Sequence, residues 1–445
     1  MIRPQALIAS YRDAWQEAGS GQWFLIAGFV FASRILAFNV AFPLYAKEQG
    51  FDSSQIGLLL AAVAISLFVF GVRVTMLGAR GRSRRALITG PLVAACGVLL
   101  ILVAPGGVLA PALVGCLLAG MASNVFWILG DPILAGAVPA RNRSHVFALK
   151  FALLTMGFAM GGLLGGWIPS ILEAAGVSTK NALAGALVVV MALDVVQSLC
   201  YRRMPIGAPR MRAASAAPAP EAPRFTGLAM WGILLLLLVP EMGMATGFNS
   251  IRPYLSLFFD EEFGMSAGAT GTAISLMQLA GGVGALLIPS MAVRFGASRT
   301  MSLLRFIGGA SIAFALGAAA LPIVLMLFFV HYSIVDGTGA TFVNDVMSRM
   351  PTSQRTIYSA VAAAVWSVFS AIAAWTSGYL QDLTGGFGAA FGVGVIAYFI
   401  SAAWLLLVLP RMPSLFAKTE ATPGLLIANQ DGPRLVPGVT GNGRD

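Results

Sequence analysis

Long apolar segments recur along this chain, and each is long enough to cross a lipid bilayer as an α-helix. The hydrocarbon core is about 30 Å thick, so a helical span needs about 20 apolar residues. Of the 445 residues, 58% are hydrophobic and only 10% are charged, which excludes an ordinary soluble domain. The sequence predicts twelve spans, with eleven or thirteen as alternatives: 22–46, 54–77, 86–104, 108–130, 146–170, 181–200, 227–257, 267–291, 301–320, 322–346, 355–378 and 386–409.

The N-terminal segment and the cysteines exclude some simpler alternatives. Residues 1–21 are mixed and mildly amphipathic, and they lead straight into a run that is too long for the apolar region of a signal peptide. We therefore expect the first span to remain in the mature protein. The three cysteines fall within or at the end of predicted spans, and their odd number indicates neither a disulfide framework nor a metal site: Cys96, Cys116 and Cys200.

The net charge of +10 comes from basic residues on one side of the predicted membrane domain. With an even number of spans, the arginine-rich segments 80–85 and 202–212 fall on the same side as both termini. The loops on the other side contain only Lys47 and Lys180 as basic residues. By the positive-inside rule, both termini are predicted to be cytoplasmic, in a multi-pass protein of the cell inner membrane. The charge therefore reports topology, and no nucleic-acid partner is expected.

The chain divides into two halves with the same plan. Segment 38–57 aligns with 248–271, and segment 138–149 aligns with 350–361. Paired six-helix repeats, with a solute site near the bilayer midplane, are an architecture of secondary transporters. A Pro-, Ala- and Arg-rich segment separates the halves, which predicts a cytoplasmic N-terminal segment (1–21), a first bundle (22–204), a cytoplasmic linker (205–225), a second bundle (226–410) and a disordered cytoplasmic tail (411–445).

With these features the chain resembles the major facilitator superfamily over roughly residues 20–410. The loop LGARGRSRRALITG after the second span stands where that family carries Gly-x-Leu-Ala-Asp-Arg-x-Gly-Arg-Arg, and AVRFGASR stands at the equivalent place in the second half. Both loops lack the aspartate whose carboxylate holds the family's halves closed on the cytoplasmic side. The resemblance implies an all-α membrane protein with twelve transmembrane helices in two pseudo-symmetric six-helix halves, and conformational roles for Arg82, Arg84, Arg85, Arg294 and Gly296.

Glycines in the fifth span form two rows. The sequence GFAMGGLLGG over 157–166 resembles the antiporter motif GxxxGPxxGG, with Gly162 in place of the proline. Gly157, Gly161 and Gly165 form one row at a spacing of four, and Gly162 and Gly166 form the adjacent row. Rows of small residues allow helix backbones to approach closely, so they predict a tight contact with a neighbouring helix. In a transporter, the two halves would also slide here.

Few ionisable residues lie at membrane depth, and each is a functional candidate. A charge at the centre of a membrane helix costs about 2.5–3.5 kcal/mol on insertion scales. The resemblance implies that spans 1, 4, 7 and 10 line the central cavity. We predict a solute and proton pathway formed by the polar residues on these spans, namely Arg34, Asn39, Asn124, Trp127, Glu241, Asn249, Arg252, His331 and Asp336.

The leading hypothesis for the charged centre is an ion pair between Arg34 and Glu241 across the cavity. The repeat alignment places both within about 60° of a common helix face, and pairing would cancel much of the desolvation cost. The alternative is that each charge is satisfied within its own half. Asp194 is expected to pair with Arg202 or Arg203, or with water.

Asp336 and His331 have two interpretations each, and Arg252 has one. Asp336 aligns with Asn124 and is predicted either to bind a proton or cationic group, or to cap a helix break at the sequence DGTG. His331 is predicted to pack between helices, with a proton relay as the alternative. Arg252 would extend an anion path with Arg34.

The chain is predicted to be a monomeric secondary transporter without cofactors. It has no GxxxxGK[ST] motif, nucleophile–base constellation or His/Cys cluster, so neither primary pumping nor enzyme activity is expected. We predict alternating-access transport of a small organic solute, coupled to protons through Glu241 or Asp336, with export slightly favoured by the span 5 motif. Uptake of an organic anion is the alternative suggested by Arg34 and Arg252. A second alternative is a non-transporting assembly protein of the same fold.

Overall fold

A computed structural model describes residues 12, 15–16, 19–138, 143–204, 228–348 and 352–411. These residues form fourteen α-helices together with short 3-10 helices, turns and loops, and they contain no β-strand. The predicted linker (205–225) and the part of the predicted tail beyond residue 411 lie outside the described residues.

The first half contains seven helices, because one predicted span is divided. Gly120 separates α4 from α5 within the fourth span, where the backbone passes so close to α2 that an added Cβ would lie 1.9 Å from Ser66 Oγ. The helices are α1 (Gln22–Glu48), α2 (Ser53–Ala79), α3 (Ser83–Val103), α4 (Leu109–Ala119), α5 (Met121–Ala137), α6 (Arg143–Ala174) and α7 (Thr179–Arg203).

The second half also contains seven helices, again with one divided span. A 3-10 turn over Arg252–Tyr254 interrupts the seventh span at Pro253, which has no backbone N–H to continue the helical hydrogen bonds. The helices are α8 (Leu228–Ile251), α9 (Leu255–Phe263), α10 (Ala267–Phe295), α11 (Ala297–Leu316), α12 (Leu321–Ser348), α13 (Thr352–Thr384) and α14 (Phe387–Leu407).

The helices account for the predicted membrane spans. Among the described residues, ten helical segments are long and apolar enough to cross a bilayer, with α4 and most of α5 counted as one. The α8–α9 pair and α11 stand at the positions of the other two predicted spans. The chain is therefore a multi-pass membrane protein whose helices form two halves, α1–α7 and α8–α14.

The two ends of the bundle are packed differently. We call the end where α7 finishes and α8 begins the linker end, and the end with the α1–α2 loop the far end. At the far end one hydrophobic core runs through both halves, and it includes Phe42 of α1 and Phe258 of α9. At the linker end each half has a core of its own, around Tyr201 in the first and Leu405 in the second. The halves are thus joined at the far end and separate towards the linker end.

One contact between the halves joins α2 to α13. Ser367 Oγ donates to the backbone oxygen of Ala64 at 2.7 Å. Nearer the far end, a Cβ on Gly57 would lie 2.8 Å from the backbone oxygen of Ala374, so the two backbones touch. Only glycine leaves room for this approach.

Another contact between the halves joins α6 to α10, and it uses one of the two predicted glycine rows. A Cβ on Gly166 would lie 2.3 Å from the backbone oxygen of Ala267 on α10. Ser275 of α10 also donates to the backbone oxygen of Ala159 at 2.7 Å. The prediction of close packing is confirmed for both rows. One faces the other half through Gly162 and Gly166, and the other faces α1 through Gly157, Gly161 and Gly165.

Candidate functional site

Arg34 and Asp194 form a buried ion pair within the first half. Arg34 lies on α1, and its Nε is 3.1 Å from Asp194 Oδ1 on α7. Its Nη2 donates to the backbone oxygen of Ala119 at 2.7 Å, at the C-terminal end of α4 just before the break at Gly120. The predicted pair of Arg34 with Glu241 is therefore wrong in this structure, as is the expected pairing of Asp194 with Arg202 or Arg203. The partner was missed because Asp194 lies 160 residues away and nothing in the sequence places α7 beside α1.

Glu241 lies in the second half, close to a different arginine. Its side chain is buried, and its Oε1 accepts no hydrogen bond within the described residues. Arg305 on α11 donates to the backbone oxygen of Pro240, the residue just before Glu241. Sequence reasoning overlooked Arg305, although a lone arginine inside a predicted span is the same signal that Arg34 gave.

Pro240 lies inside the continuous helix α8, and its missing backbone N–H explains why a polar cluster forms here. Pro240 has no N–H for the backbone oxygen of Leu236, and that oxygen instead accepts from the Trp404 indole of α14 at 2.9 Å. Arg305 donates to the Pro240 oxygen at 2.9 Å and to Ser401 Oγ on α14. The guanidinium therefore ties α11 to the first and last spans of the second half.

The second half also contains an ion pair, and it is partly exposed. Arg252, in the 3-10 turn after α8, pairs with Asp336 of α12, and their side chains are 10% and 25% exposed. The guanidinium carbon lies 3.9 Å from the ring centroids of both Phe248 and Tyr332, so it is held between two aromatic faces. Gln278 of α10 accepts a long hydrogen bond from Arg252 at 3.5 Å. The arrangement leaves a carboxylate accessible and its cation enclosed.

The structure separates the alternatives for Asp336 and His331. The helix α12 runs unbroken through DGTG, and a Cβ on Gly337 would lie 2.7 Å from Ala285 Cα of α10. The glycine allows helix packing, so a helix break capped by Asp336 is wrong. His331 is fully buried, and its Nδ1 lies 3.0 Å from the backbone oxygen of Gly308. These contacts favour the packing interpretation of His331.

The predicted polar residues on the other helices have different environments. Asn124 is buried and donates to Ser66 Oγ at 3.3 Å, so it joins α5 to α2. Asn249 donates to Ser370 Oγ of α13 at 2.8 Å, and Asn39 is partly buried on α1. Trp127 is 48% exposed, with its ring edge-on to Phe31. Of these four, Trp127 presents the largest exposed surface.

Sequence reasoning missed an ion pair between α5 and α6. Asp131 and Lys150 bond through Oδ1 and Nζ, and their side chains are 51% and 8% exposed. The Lys150 ammonium lies 5.3 Å from the Phe126 ring centroid and 5.7 Å from that of Trp127. The predicted spans ended at residue 130 and resumed at 146, which placed both charges near loops. In fact α6 begins at Arg143, so Lys150 lies two turns inside it.

The basic loops are at the linker end. Arg82, Arg84, Arg85 and Arg294 are exposed, and Arg84 donates to the backbone oxygen of Arg202 at 3.0 Å. Gly296 has a φ of 88° and forms the turn between α10 and α11, a conformation that favours glycine. Arg80 and Arg299, in the same two loops, are also exposed.

The charged groups thus fall into two classes. Arg34 and Arg305 are enclosed and bind backbone and side-chain partners within one half. The pairs Arg252–Asp336 and Lys150–Asp131 instead expose a carboxylate and enclose its cation. A charge is costly against lipid, so we expect the exposed carboxylates to face water and not the bilayer. Among the described residues, no group of His, Cys, Asp and Glu side chains has the geometry of a metal site.

Comparisons with known proteins agree with this architecture. Residues 23–242 match the family model described as Major Facilitator Superfamily. The chain superposes on a D-xylose–proton symporter with a TM-score of 0.71 at 14% identity, covering 88% of this chain and 98% of the other. It also superposes on a bacterial homologue of the human lysosomal transporter Spinster in an inward-facing, occupied conformation, with a TM-score of 0.66 at 13% identity and coverage of 89% and 96%.

A further solved structure is the fucose–proton symporter of E. coli, with a TM-score of 0.57 at 15% identity and coverage of 86% and 97%. No curated protein sequence matches the chain significantly. At these identities the solved structures establish a shared fold.

Proposed function

We propose that the chain is a secondary active transporter of the Major Facilitator Superfamily, whose family model matches residues 23–242 and whose fold it shares with solved transporters. It moves a small organic solute by alternating access. The observation that carries this proposal is the asymmetry of the bundle, with one core shared at the far end and two separate cores at the linker end. Two rigid halves joined at one end form a cavity that is open at the other.

We further propose that the linker end faces the cytoplasm of the inner membrane. The helix ends and loops at this end carry exposed arginines at 82, 84, 85 and 294, whereas the helix ends at the far end carry Lys47 and Lys180. The positive-inside rule then makes this an inward-facing state.

The solute site and the proton site both involve Asp336 in this proposal. Its carboxylate is partly exposed and is held against Arg252, which lies between Phe248 and Tyr332. Protonation of Asp336 would release Arg252, and an ion pair that breaks on protonation can bias two conformations. Glu241 is more enclosed than Asp336, and it is the second candidate for the proton.

Export in exchange for protons is the direction that we favour. Uptake of an organic anion was suggested by two arginines, but Arg34 and Arg252 each have a carboxylate partner. Neither guanidinium therefore offers an unpaired positive charge to an anion. The Arg252–Asp336 pair suits a solute or proton that competes for the carboxylate.

Reconstituted transport tests the proposal directly. Purified protein in liposomes with an imposed pH gradient and an internal pH dye is offered D-xylose, uridine, benzoate and ethidium as probes of four solute classes. We expect one class to move protons, and Asp336→Asn to abolish that movement. Glu241→Gln tests the second candidate for the proton site. The matched control is Glu262→Gln, because Glu262 is exposed at the end of α9.

Two outcomes would count against the proposal. Wild-type protein that moves none of the four probes, yet co-purifies with a membrane partner, favours the non-transporting alternative. Benzoate uptake with proton entry, retained in Asp336→Asn, favours anion uptake.

A further inference from the structure

A carboxylate of the second half binds the start of a helix of the first half at the far end. Asp382 lies in the last turn of α13, and its Oδ1 accepts from the backbone N–H of Ser53 at 3.0 Å. Its Oδ2 accepts from the N–H of Ser54 at 2.7 Å. Ser53 and Ser54 are the first two residues of α2. This contact therefore crosses between the halves.

The same helix start also has a carboxylate from its own half. Asp52 is the N-cap of α2, where its Oδ1 accepts from the Gln55 N–H at 2.7 Å and Gln55 Oε1 accepts from the Asp52 N–H at 3.2 Å. This capping box satisfies the third residue of the helix and leaves the first two N–H groups free. The Asp382 carboxylate accepts hydrogen bonds from those two N–H groups. The positive end of the helix dipole favours both carboxylates.

The surrounding backbone is shaped for the contact. A Cβ on Gly378, one turn before Asp382, would lie 2.0 Å from the backbone oxygen of Ser53. Glycine at 378 therefore lets α13 approach the start of α2 closely enough for Asp382 to reach it. Beside it, Lys47 of α1 pairs with Asp260 at 3.3 Å and Glu261 at 3.0 Å on α9, which is a second polar contact between the halves at this end.

The linker end lacks a comparable carboxylate in its basic loops. Neither LGARGRSRRALITG nor AVRFGASR contains an aspartate or glutamate. Opening the far end would separate α13 from α2 and return the Ser53 and Ser54 N–H groups and the Asp382 carboxylate to water. The two ends therefore differ in what opposes their opening.

We propose that Asp382 is a positioning residue that holds the far end closed and biases the protein towards the state open at the linker end. The inference rests on the two-state motion of the proposed function, but its test needs no solute. Charge-assisted contacts at an exposed helix start are worth about a 3- to 10-fold change in an equilibrium. Removal of Asp382 should raise the far-end-open population by that factor.

The test measures far-end distances by double electron–electron resonance in lipid nanodiscs. The natural cysteines Cys96, Cys116 and Cys200 are replaced by serine, and spin labels are placed at Lys180→Cys and Ala320→Cys, which are exposed at the far end of each half. We expect Asp382→Ala to increase the longer-distance population about 3- to 10-fold. Asp382→Asn keeps the shape of the side chain but removes its charge, so its longer-distance population should lie between those of the wild type and Asp382→Ala.

Asp52→Ala is the matched control, because Asp52 binds the same helix start from the same half. It should lower the melting temperature through the lost cap and leave the distance distribution unchanged. The proposal is overturned if Asp382→Ala leaves the wild-type distribution unchanged, or if Asp52→Ala shifts it equally. A shift without transport of any probe would retain this inference and reject the transport proposal.

Discussion

Arg34 and Asp194 join the first and last helices of the first half, through an ion pair in which both side chains are almost fully buried. Arg305 has the corresponding role in the second half, but through hydrogen bonds: those to Pro240 and Ser401 join α8 to α14. In each half, therefore, a buried arginine helps to join the first helix to the last. This supports movement of each half as one body.

Removal of either partner of the Arg34 pair should destabilise the protein strongly. Arg34→Met or Asp194→Asn leaves an uncompensated buried group, which costs about 3–5 kcal/mol. The double variant Arg34→Met with Asp194→Leu should recover most of that loss. Thermal unfolding in detergent measures all three.

Lys47→Ala is the control for this prediction, because its ion pairs are about 40% exposed and such pairs are worth about 0–1 kcal/mol. The proposed pairing would be contradicted if the double variant were no more stable than the less stable of the two single variants.

Arg252→Lys should not preserve transport, although the charge is kept. The planar guanidinium lies between Phe248 and Tyr332, and a lysine ammonium cannot stack on both rings while reaching Asp336. We expect the transport rate in proteoliposomes to fall at least about tenfold, equivalent to about 1.4 kcal/mol. Arg411→Lys, at the end of the described chain, is the control. Full activity of Arg252→Lys would show that charge alone suffices.

The Asp131–Lys150 pair should respond asymmetrically to removal of its partners. Lys150→Met leaves a half-exposed carboxylate that water can solvate, so we expect a loss of less than about 1 kcal/mol. Asp131→Asn leaves a buried ammonium near aromatic rings, and we expect a loss of about 2–4 kcal/mol. Unfolding in detergent compares the two variants. Equal losses would contradict the burial difference.

Gly166→Ala should weaken the contact between the halves. Its Cβ would lie 2.3 Å from a backbone oxygen of α10, so the helices must separate, at a cost of about 1–3 kcal/mol. The control is Gly392→Ala in α14, where no atom lies within 4 Å of the added Cβ. That substitution should stabilise by up to about 1 kcal/mol. Similar melting temperatures for the two variants would argue against a tight α6–α10 contact.

The sequence was most informative where a signal repeats along the chain. Apolar length predicted the spans because the bilayer imposes the same requirement on each of them. Glycine spacing predicted close packing in α6 for a similar reason, since residues four apart lie on one helix face. Neither signal says which helix the face meets. The structure assigns one glycine row to α1 and the adjacent row to α10.

For the charged residues, the sequence predicted their depth in the membrane but not their partners. Arg34, Glu241, Arg252 and Asp336 were all recognisable as charges at membrane depth, yet no partner could be assigned from the sequence. A pairing depends on helix neighbours and on helix rotation to within a fraction of a turn, and one sequence sets the rotation only approximately. The Arg34–Glu241 hypothesis failed for this reason, and Lys150 and Asp131 were missed because span limits are uncertain by several residues.

By itself the sequence determined that the chain is an all-α membrane protein in two similar halves, because apolar length, basic loops and the repeat depend only on position along the chain. The tertiary structure alone decided which charges meet and which end of the bundle is closed. Both depend on contacts between residues more than 100 positions apart, as for Arg34 with Asp194 and Ser53 with Asp382. Such contacts leave no local pattern in the chain.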